Sequence, residues 1–226
     1  MKLTFLGSGA CFFPELHNTS AYFVYENSLF LLDCGETVYE RLLKMEDLNQ
    51  YEQIYVILTH LHADHVGSLG SLLSYCKCIL KKRIYVVYPN KQVCKLLSLL
   101  GIAKDFYYYL ETLGDRVKNL LVEPVKVSHA SDMECFGYRI TSQDNCIYYS
   151  GDASGIPESI LEQFIYGEIE KIYQDTSTHD VTCRSHMYVE VLEKQIPRKL
   201  RQRVVCMHLD SKCHDVLHAK GFSTVE

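Results

Sequence analysis

Residues 59–65 read Thr-His-Leu-His-Ala-Asp-His and follow directly on the apolar run that begins at Ile54. Successive side chains of an extended segment alternate, so His60 and His62 face the same way. Asp64 and His65 follow on the turn, where they can reach a second position nearby. Imidazoles suit Zn²⁺, Mn²⁺ or iron, and a carboxylate suits a hard or borderline divalent ion. The stretch therefore predicts a metal site, and the alternative is a solvated, histidine-rich loop.

Three later residues of ligand type each stand at the carboxyl end of an apolar run. These residues are His129, Asp152 and His208. A single histidine at a strand end is more often a hydrogen-bonded residue than a metal ligand. All three occur in this order after the 59–65 stretch, which indicates that they complete the same metal site.

The remaining pattern predicts an α/β protein with two mixed sheets and helices outside them. Strands are predicted from alternation or short apolar runs at 2–6, Ser20–Tyr25, Ser28–Asp33, Ile54–Thr59, Ile84–Tyr88, Leu121–Val127, Glu134–Thr141, Cys146–Ser150 and Val204–His208. Helices are predicted from apolar spacing at Glu36–Met45, Ser68–Tyr75, Gln92–Leu100, Glu158–Phe164 and Met187–Gln195. Strands that first form hairpins and then alternate with helices favour a sandwich of two sheets.

Composition narrows the class of protein. The chain has 226 residues, of which 47% are hydrophobic, and we expect a single domain over residues 1–226. No apolar run approaches the ~20 residues that span a bilayer, and no signal peptide is apparent, so we expect a cytoplasmic protein without a membrane partner. The formal net charge is −5. Long nucleic acids bind mainly through Lys and Arg, so this charge disfavours them as substrates.

The order of the ligand residues resembles that of the metallo-β-lactamase superfamily, and the resemblance covers nearly the whole chain. It implies an αββα sandwich and a homodimer. It also implies two divalent metal ions, with zinc the first expectation and manganese or iron the alternatives. In that family one ion is held by residues matching His60, His62 and His129. The other is held by residues matching Asp64, His65 and His208, and the match to Asp152 bridges the two ions.

Further residues resemble the ribonuclease Z-like branch of this superfamily. Residues 6–9 (Leu-Gly-Ser-Gly) and the Asn-Thr-Ser that begins at Asn18 are similar to its first loop and next strand, which implies that Asn18 contacts substrate. The resemblance also implies that His186, at the start of the helix Met187–Gln195, is catalytic and that Asp175 orients it. Lys212 falls where the family has a phosphate-contacting Arg. Each of the last three residues has an alternative interpretation. His186 could be a helix residue without a role, Asp175 a turn or cap residue, and Lys212 a solvated lysine.

One departure bears on the substrate. Ribonuclease Z carries a tRNA-clamping arm between the third His and the bridging Asp, whereas residues 130–151 here are filled by two short strands and a turn. The chain therefore resembles the relatives that act on small phosphodiesters, such as the phage anti-Pycsar cyclic-nucleotide phosphodiesterases. Phe12-Phe13 and Tyr107-Tyr108-Tyr109 are candidates for a wall against the substrate base, and ordinary core or dimer contacts are the alternative.

Together these features predict a phosphodiesterase that hydrolyses a small phosphodiester or nucleotide, most simply a cyclic nucleotide. A hydroxide activated by two metal ions would attack phosphorus, Asp64 would accept the water's proton, and His186 would protonate the leaving alkoxide. The alternatives are a tRNA 3′-processing ribonuclease Z, a protein that sequesters nucleotides without turnover, and a thioester or lactone hydrolase.

Overall fold

The protein is described here by a computed structural model that covers residues 2–143, 145–179 and 185–225. Its contacts divide the chain into two compact units. The N-terminal unit comprises Met1–Gly7 and His17–Leu113, and the C-terminal unit comprises Ser8–Leu16 and Gly114–Glu226. The expectation of one domain over residues 1–226 stays a prediction.

The N-terminal unit consists of one six-stranded mixed sheet and four α-helices. Its strands are β1 (Thr4–Gly7), β2 (Ser20–Tyr25), β3 (Ser28–Leu32), β4 (Gln53–Ile57), β5 (Ile84–Val87) and β6 (Tyr107–Leu110). They lie in sequence order across the sheet, with antiparallel pairing from β1 to β3 and parallel pairing from β3 to β6. Its helices are α1 (Val38–Met45), α2 (Ala63–Val66), α3 (Leu69–Cys78) and α4 (Gln92–Leu99).

The C-terminal unit has the same order of pairings. Its strands are β7 (Leu120–Val127), β8 (Cys135–Ser142), β9 (Asn145–Tyr149), β10 (Lys171–Asp175), β11 (Val204–Met207) and β12 (Ser223–Thr224). They again lie in sequence order, antiparallel from β7 to β9 and parallel from β9 to β12. Its helices are α5 (Glu158–Tyr166), α6 (Val189–Gln195) and α7 (His214–Ala219).

Burial explains why these segments take these forms. Strand β3 is apolar on both faces and buried from Leu29 to Leu32, as expected of a strand inside a sheet. Helix α5 buries Ile160 and Phe164, one turn apart, and ends where Gly167 takes the left-handed conformation with φ 87°. Among the described residues, no helix combines the length and apolar character needed to cross a membrane.

The parallel halves of the two sheets determine where polar side chains gather. The carboxyl ends of parallel strands meet at one edge of a sheet, which is the usual place for a ligand site in α/β proteins. Asp33 and His60 follow β3 and β4 in the N-terminal unit. Asp152 and His208 follow β9 and β11 in the C-terminal unit, and Asp175 ends β10.

Candidate metal centre

In the N-terminal unit, the 59–65 stretch leaves β4 and turns into the single-turn helix α2. His60 Nε2 lies 2.9 Å from His62 Nδ1. His65 Nε2 lies 3.3 Å from Asp64 Oδ2, and both of these side chains are buried. The four predicted ligands of this unit therefore form two close pairs of donor atoms.

The carboxylate of Asp33, fully buried after β3, holds this stretch in place. Its Oδ1 accepts a hydrogen bond from the Thr59 backbone N–H at 2.8 Å, and its Oδ2 accepts from Thr59 Oγ1 at 2.8 Å. Oδ2 also lies 2.8 Å from His65 Nδ1. Burial raises the pKa of Asp33, and the contacts with His65 and Thr59 act against that rise. With Nδ1 donating to Asp33, Nε2 of His65 is the nitrogen directed towards Asp64 and suited to a metal.

Asp33 was not among the site residues predicted from the sequence. The available signal was an acidic residue at the end of a fully apolar strand, followed by Cys34 and Gly35. Gly35 has its own structural reason. A Cβ placed there would lie 1.9 Å from the Asp64 backbone oxygen, so the backbone that carries Asp64 approaches closer than any side chain permits.

In the C-terminal unit, the remaining predicted ligands gather around Asp152. Its Oδ2 lies 3.3 Å from His208 Nε2 and 3.6 Å from His129 Nε2. The other ring nitrogen of each histidine faces an oxygen. His129 Nδ1 lies 2.9 Å from the Ser185 carbonyl, and His208 Nδ1 lies 3.5 Å from Asp175 Oδ1. Such outer partners orient a ligating imidazole and fix its tautomer.

Asp175 and His186 form a close pair in the same unit. Asp175 is fully buried, and its Oδ2 lies 2.7 Å from His186 Nδ1 and accepts from the Ala153 backbone N–H at 2.9 Å. Burial alone would lower the pKa of His186, but the hydrogen bond from His186 to Asp175 and the charges of Asp175 and Asp152 outweigh it and raise that pKa. A histidine with a raised pKa is suited to donate a proton.

The predicted position of His186 at the start of a helix is wrong. Helix α6 begins at Val189 and not at Met187, with Tyr188 as its N-cap. The Ser177 backbone accepts from Val189 N and donates to Met187 O, so this segment pairs with the chain after β10 before the helix starts. His186 is thus positioned by a loop and by Asp175.

The spacing and the chemistry of the donor atoms suit a divalent metal ion. Two ligands that each lie about 2.0–2.1 Å from a tetrahedral Zn²⁺ are roughly 3.3 Å apart. The spacings within the two units are 2.9, 3.3, 3.3 and 3.6 Å. Imidazole and carboxylate donors, with outer carboxylate or carbonyl partners, are the ligand chemistry expected of zinc, manganese or iron.

The two predicted substrate contacts have partners of their own. The Asn18 side-chain oxygen accepts from Thr37 N at 2.8 Å and Thr37 Oγ1 at 3.1 Å, next to the start of α1. Lys212 is exposed, and its Nζ lies 2.6 Å from Glu15 Oε2. Both roles in substrate binding stay predictions.

Asp210, which stands where the ribonuclease Z-like family has a serine, is held by several donors. Burial alone would raise its pKa, but hydrogen bonds from Ser177, His179 and Thr178 outweigh burial and lower the pKa to about 2. Sequence reasoning missed His179, because nothing in the local sequence shows that it meets Asp210.

The fold and these ligand clusters define a ribonuclease Z-like protein of the metallo-β-lactamase superfamily whose side chains can bind divalent metal ions. Proteins of this class are metal-dependent hydrolases. The sequence model of the family described as "Anti-Pycsar protein Apyc1" matches residues 1–225. The chain belongs to this family.

Individual relatives agree with this assignment. The anti-Pycsar protein Apyc1 of Bacillus phage vB_BsuM-Goe3 is 34% identical over 250 residues, covering 97% of this chain and 93% of the relative. Ribonuclease Z of Methanococcus maripaludis is 25% identical over 154 residues, covering 66% of this chain and 48% of the relative. The chain therefore spans about half the length of that ribonuclease Z.

A solved structure supports the fold itself. The metallo-β-lactamase fold protein YhfI of Bacillus subtilis superposes with a TM-score of 0.75 at 18% identity, covering 98% of this chain and 94% of YhfI. The predicted fold class, two mixed sheets with helices in a metallo-β-lactamase fold, is confirmed.

Proposed function

We propose that the protein is a metal-dependent phosphodiesterase that hydrolyses a small phosphodiester, a cyclic nucleotide. The observation that carries the proposal is the His186–Asp175 pair, whose 2.7 Å hydrogen bond lies beside the ligand-type residues Asp152 and His208. A proton donor next to a metal site is what cleavage of an unactivated phosphodiester requires. Membership of the anti-Pycsar family, with the resemblance to cyclic-nucleotide phosphodiesterases, supplies the substrate.

The seven ligand residues would hold two divalent ions. His60, His62 and His129 would hold one, Asp64, His65 and His208 would hold the other, and Asp152 would bridge them. This assignment rests on the order of the ligands in the sequence and on the family. Zinc is the first choice because imidazole predominates among the donors, and manganese and iron remain alternatives. When bound, such ions supply the nucleophile, because they lower the pKa of water towards neutrality.

The chain's own residues would manage the protons. Asp64 would accept the proton of the attacking water. As the bond between phosphorus and the leaving oxygen breaks, His186 would donate its Nε2 proton to the departing alkoxide. Asp175 would hold the imidazole in the orientation that directs Nε2 to that oxygen. General acid catalysis of this kind is worth about 10²–10⁴-fold for a poor leaving group such as a ribose oxygen.

The size and charge of the chain support a small substrate. Strands β8 and β9 occupy most of residues 130–151, which leaves no length there for a tRNA-binding arm. The formal net charge of −5 also disfavours a polynucleotide. Residues 198–203, just before the strand that leads to His208, form a basic run (Arg-Lys-Leu-Arg-Gln-Arg), and two of its arginines are engaged within the protein. Arg201 binds Glu193 and the carbonyls of Ile196 and Lys220, and Arg203 binds the carbonyls of Glu170 and Ile169.

The decisive experiment is a substrate panel with Mn²⁺- or Zn²⁺-loaded protein. The panel comprises 3′,5′-cyclic nucleotides, 2′,3′-cyclic nucleotides, bis(p-nitrophenyl) phosphate and pre-tRNA. Turnover of a cyclic nucleotide to a linear monophosphate supports the proposal. Cleavage of pre-tRNA alone would revive the ribonuclease Z alternative, and tight binding of a nucleotide without product release would favour a sequestering protein.

A paired variant tests the proton donor. His186→Ala should slow cyclic nucleotides by about 10²–10⁴-fold and bis(p-nitrophenyl) phosphate far less, because nitrophenolate leaves without a proton. His218→Ala, an exposed histidine on α7, is the matched control. Equal loss on both substrates would remove the general-acid role of His186. The homodimer and the cytoplasmic location belong to the proposal as well, and light scattering of the purified protein tests the former.

A further inference from the structure

The C-terminal unit contains a cavity of about 340 Å³ beside two histidines of the candidate site. Its described lining includes Phe12, Phe13, His179, His186, His208 and Asp210. Small-molecule sites measure roughly 300–1,000 Å³, so this cavity suits one mononucleotide and not an oligonucleotide. Phe12 is 95% exposed, which leaves an aromatic face on which a base can stack.

A second histidine–carboxylate pair lies in this cavity, separate from His186 and Asp175. His179 Nδ1 lies 2.9 Å from Asp210 Oδ2. The imidazole of His179 is 71% exposed, while the carboxylate of Asp210 is 22% exposed. The proposed chemistry makes no use of this pair.

Residues 177–179 are held by hydrogen bonds to Asp210 and to one another. Asp210 Oδ2 accepts from Ser177 Oγ at 2.6 Å and from the Thr178 backbone N–H at 3.0 Å, and Oδ1 accepts from Thr178 Oγ1 at 3.0 Å. The His179 backbone N–H donates to Ser177 Oγ at 3.1 Å. The backbone that carries the His179 ring is therefore held in position.

These contacts place a hydrogen on Nδ1 of His179. The backbone N–H of Thr178 can only donate, so Asp210 Oδ2 is an acceptor, and the facing Nδ1 of His179 must carry a hydrogen. In a neutral imidazole with hydrogen on Nδ1, Nε2 is an acceptor. A phosphodiester has no hydrogen to donate, whereas a ribose hydroxyl or a base N–H does.

We propose that His179 is a substrate-recognition residue whose Nε2 accepts a hydrogen bond from a hydroxyl or N–H group of the nucleoside part of the substrate. Asp210 is its positioning residue. The proposal rests on the function proposed above and specifies the preferred substrate as a phosphodiester whose nucleoside part carries such a donor. In a 3′,5′-cyclic nucleotide the available donors are the ribose 2′-hydroxyl and the N–H groups of the base.

The test compares kcat/KM for 3′,5′-cyclic ribonucleotides of the four bases and for their 2′-deoxy counterparts. It uses the metal-loaded wild type, His179→Phe, which keeps a ring without the acceptor, and His179→Gln, which keeps an acceptor oxygen. His218→Phe is the control for an exposed histidine. One neutral hydrogen bond corresponds to a preference of about tenfold or less.

We expect the wild type to prefer either ribose over deoxyribose or particular bases by about this factor. Each preference is expressed as a ratio of kcat/KM values, ribose to deoxyribose or one base to another. His179→Phe should bring the ratio that the wild type shows close to one, and His179→Gln should restore part of it. His218→Phe should keep the wild-type ratio. Loss of the ribose ratio identifies the 2′-hydroxyl as the donor, and loss of the base ratio identifies a base N–H.

Two outcomes would overturn the proposal, and they are distinguishable. If the wild type turns over cyclic nucleotides and His179→Phe changes neither ratio, the role of His179 is wrong while the proposed function stands. If the wild type hydrolyses neither cyclic nucleotides nor bis(p-nitrophenyl) phosphate, the proposed function fails and the assignment of His179 fails with it.

Discussion

Asp33→Asn should weaken metal binding although Asp33 itself is not among the ligands. The variant keeps the acceptor for the Thr59 backbone N–H but places an NH₂ group where Oδ2 now accepts from His65 Nδ1 at 2.8 Å. To keep that hydrogen bond, His65 must move its hydrogen to Nε2, the nitrogen needed for metal. The lost interaction is a hydrogen bond to a buried carboxylate, worth about 1.5–3 kcal/mol. At 1.4 kcal/mol for each factor of ten, this predicts an affinity about 10- to 100-fold lower.

The assay is competition between the protein and a chelating dye for Zn²⁺, with the melting temperature of the metal-free protein measured alongside. Asp47→Asn is the control, because Asp47 caps a 3₁₀ turn at the surface of the same unit and asparagine caps equally well. A metal affinity of Asp33→Asn equal to wild type would show that Asp33 does not set the tautomer of His65. An equal loss in Asp47→Asn would show a non-specific effect.

Three further substitutions give separate tests. Asp152→Ala should abolish metal uptake and turnover, measured by elemental analysis and the substrate panel, whereas the exposed Asp132→Ala should retain both; metal retained in Asp152→Ala would contradict the ligand assignment. Tyr148→Phe should raise stability by about 1 kcal/mol in a urea titration, because the buried hydroxyl has no hydrogen-bond partner among the described residues, and a loss of stability would mean that this hydroxyl is satisfied. Gly35→Ala should lower the free energy of unfolding by about 1–3 kcal/mol or more, because its Cβ would overlap the Asp64 carbonyl. Gly155→Ala, with open space around the new Cβ, should leave it unchanged. Equal melting temperatures of the two variants would show that the backbone at Gly35 adjusts to the new side chain.

The sequence allowed the candidate metal ligands to be proposed because they follow strongly apolar strands. Strand β2 has the predicted bounds Ser20–Tyr25, and β3 differs by one residue at its end. An alternating or fully apolar run is a local signal, so it can be recognised without knowledge of the fold. The polar residue that follows each run is then placed at the carboxyl edge of the sheet.

Segments without such a signal were missed. Tyr107–Leu110 forms the edge strand β6, whereas no strand was predicted there from the sequence and its three tyrosines were given as a candidate substrate wall or as ordinary core or dimer contacts. Tyr108 stacks on Tyr85 at 5.0 Å and under Arg83, and Tyr109 Oη donates to the Tyr88 carbonyl at 3.0 Å. Aromatic cross-strand contacts decide this structure, and they depend on which strand lies alongside.

The carboxylate partners of two histidines, one of them a candidate ligand, also could not be predicted from the sequence. Asp33 meets His65, and His179 meets Asp210, across 32 and 31 positions of the chain. Aspartate is common in turns and caps, so its presence alone predicts nothing about such a partner. Only the register of the sheets brings these side chains to their histidines.

The proposed function depends above all on the proposal that seven side chains hold two divalent ions in each chain. Elemental analysis of protein loaded with Zn²⁺ or Mn²⁺ and freed of excess metal tests it most directly. We expect about two ions per chain, with a rise in melting temperature on loading. Protein that retains no transition metal, and that added ions neither stabilise nor activate, would contradict it.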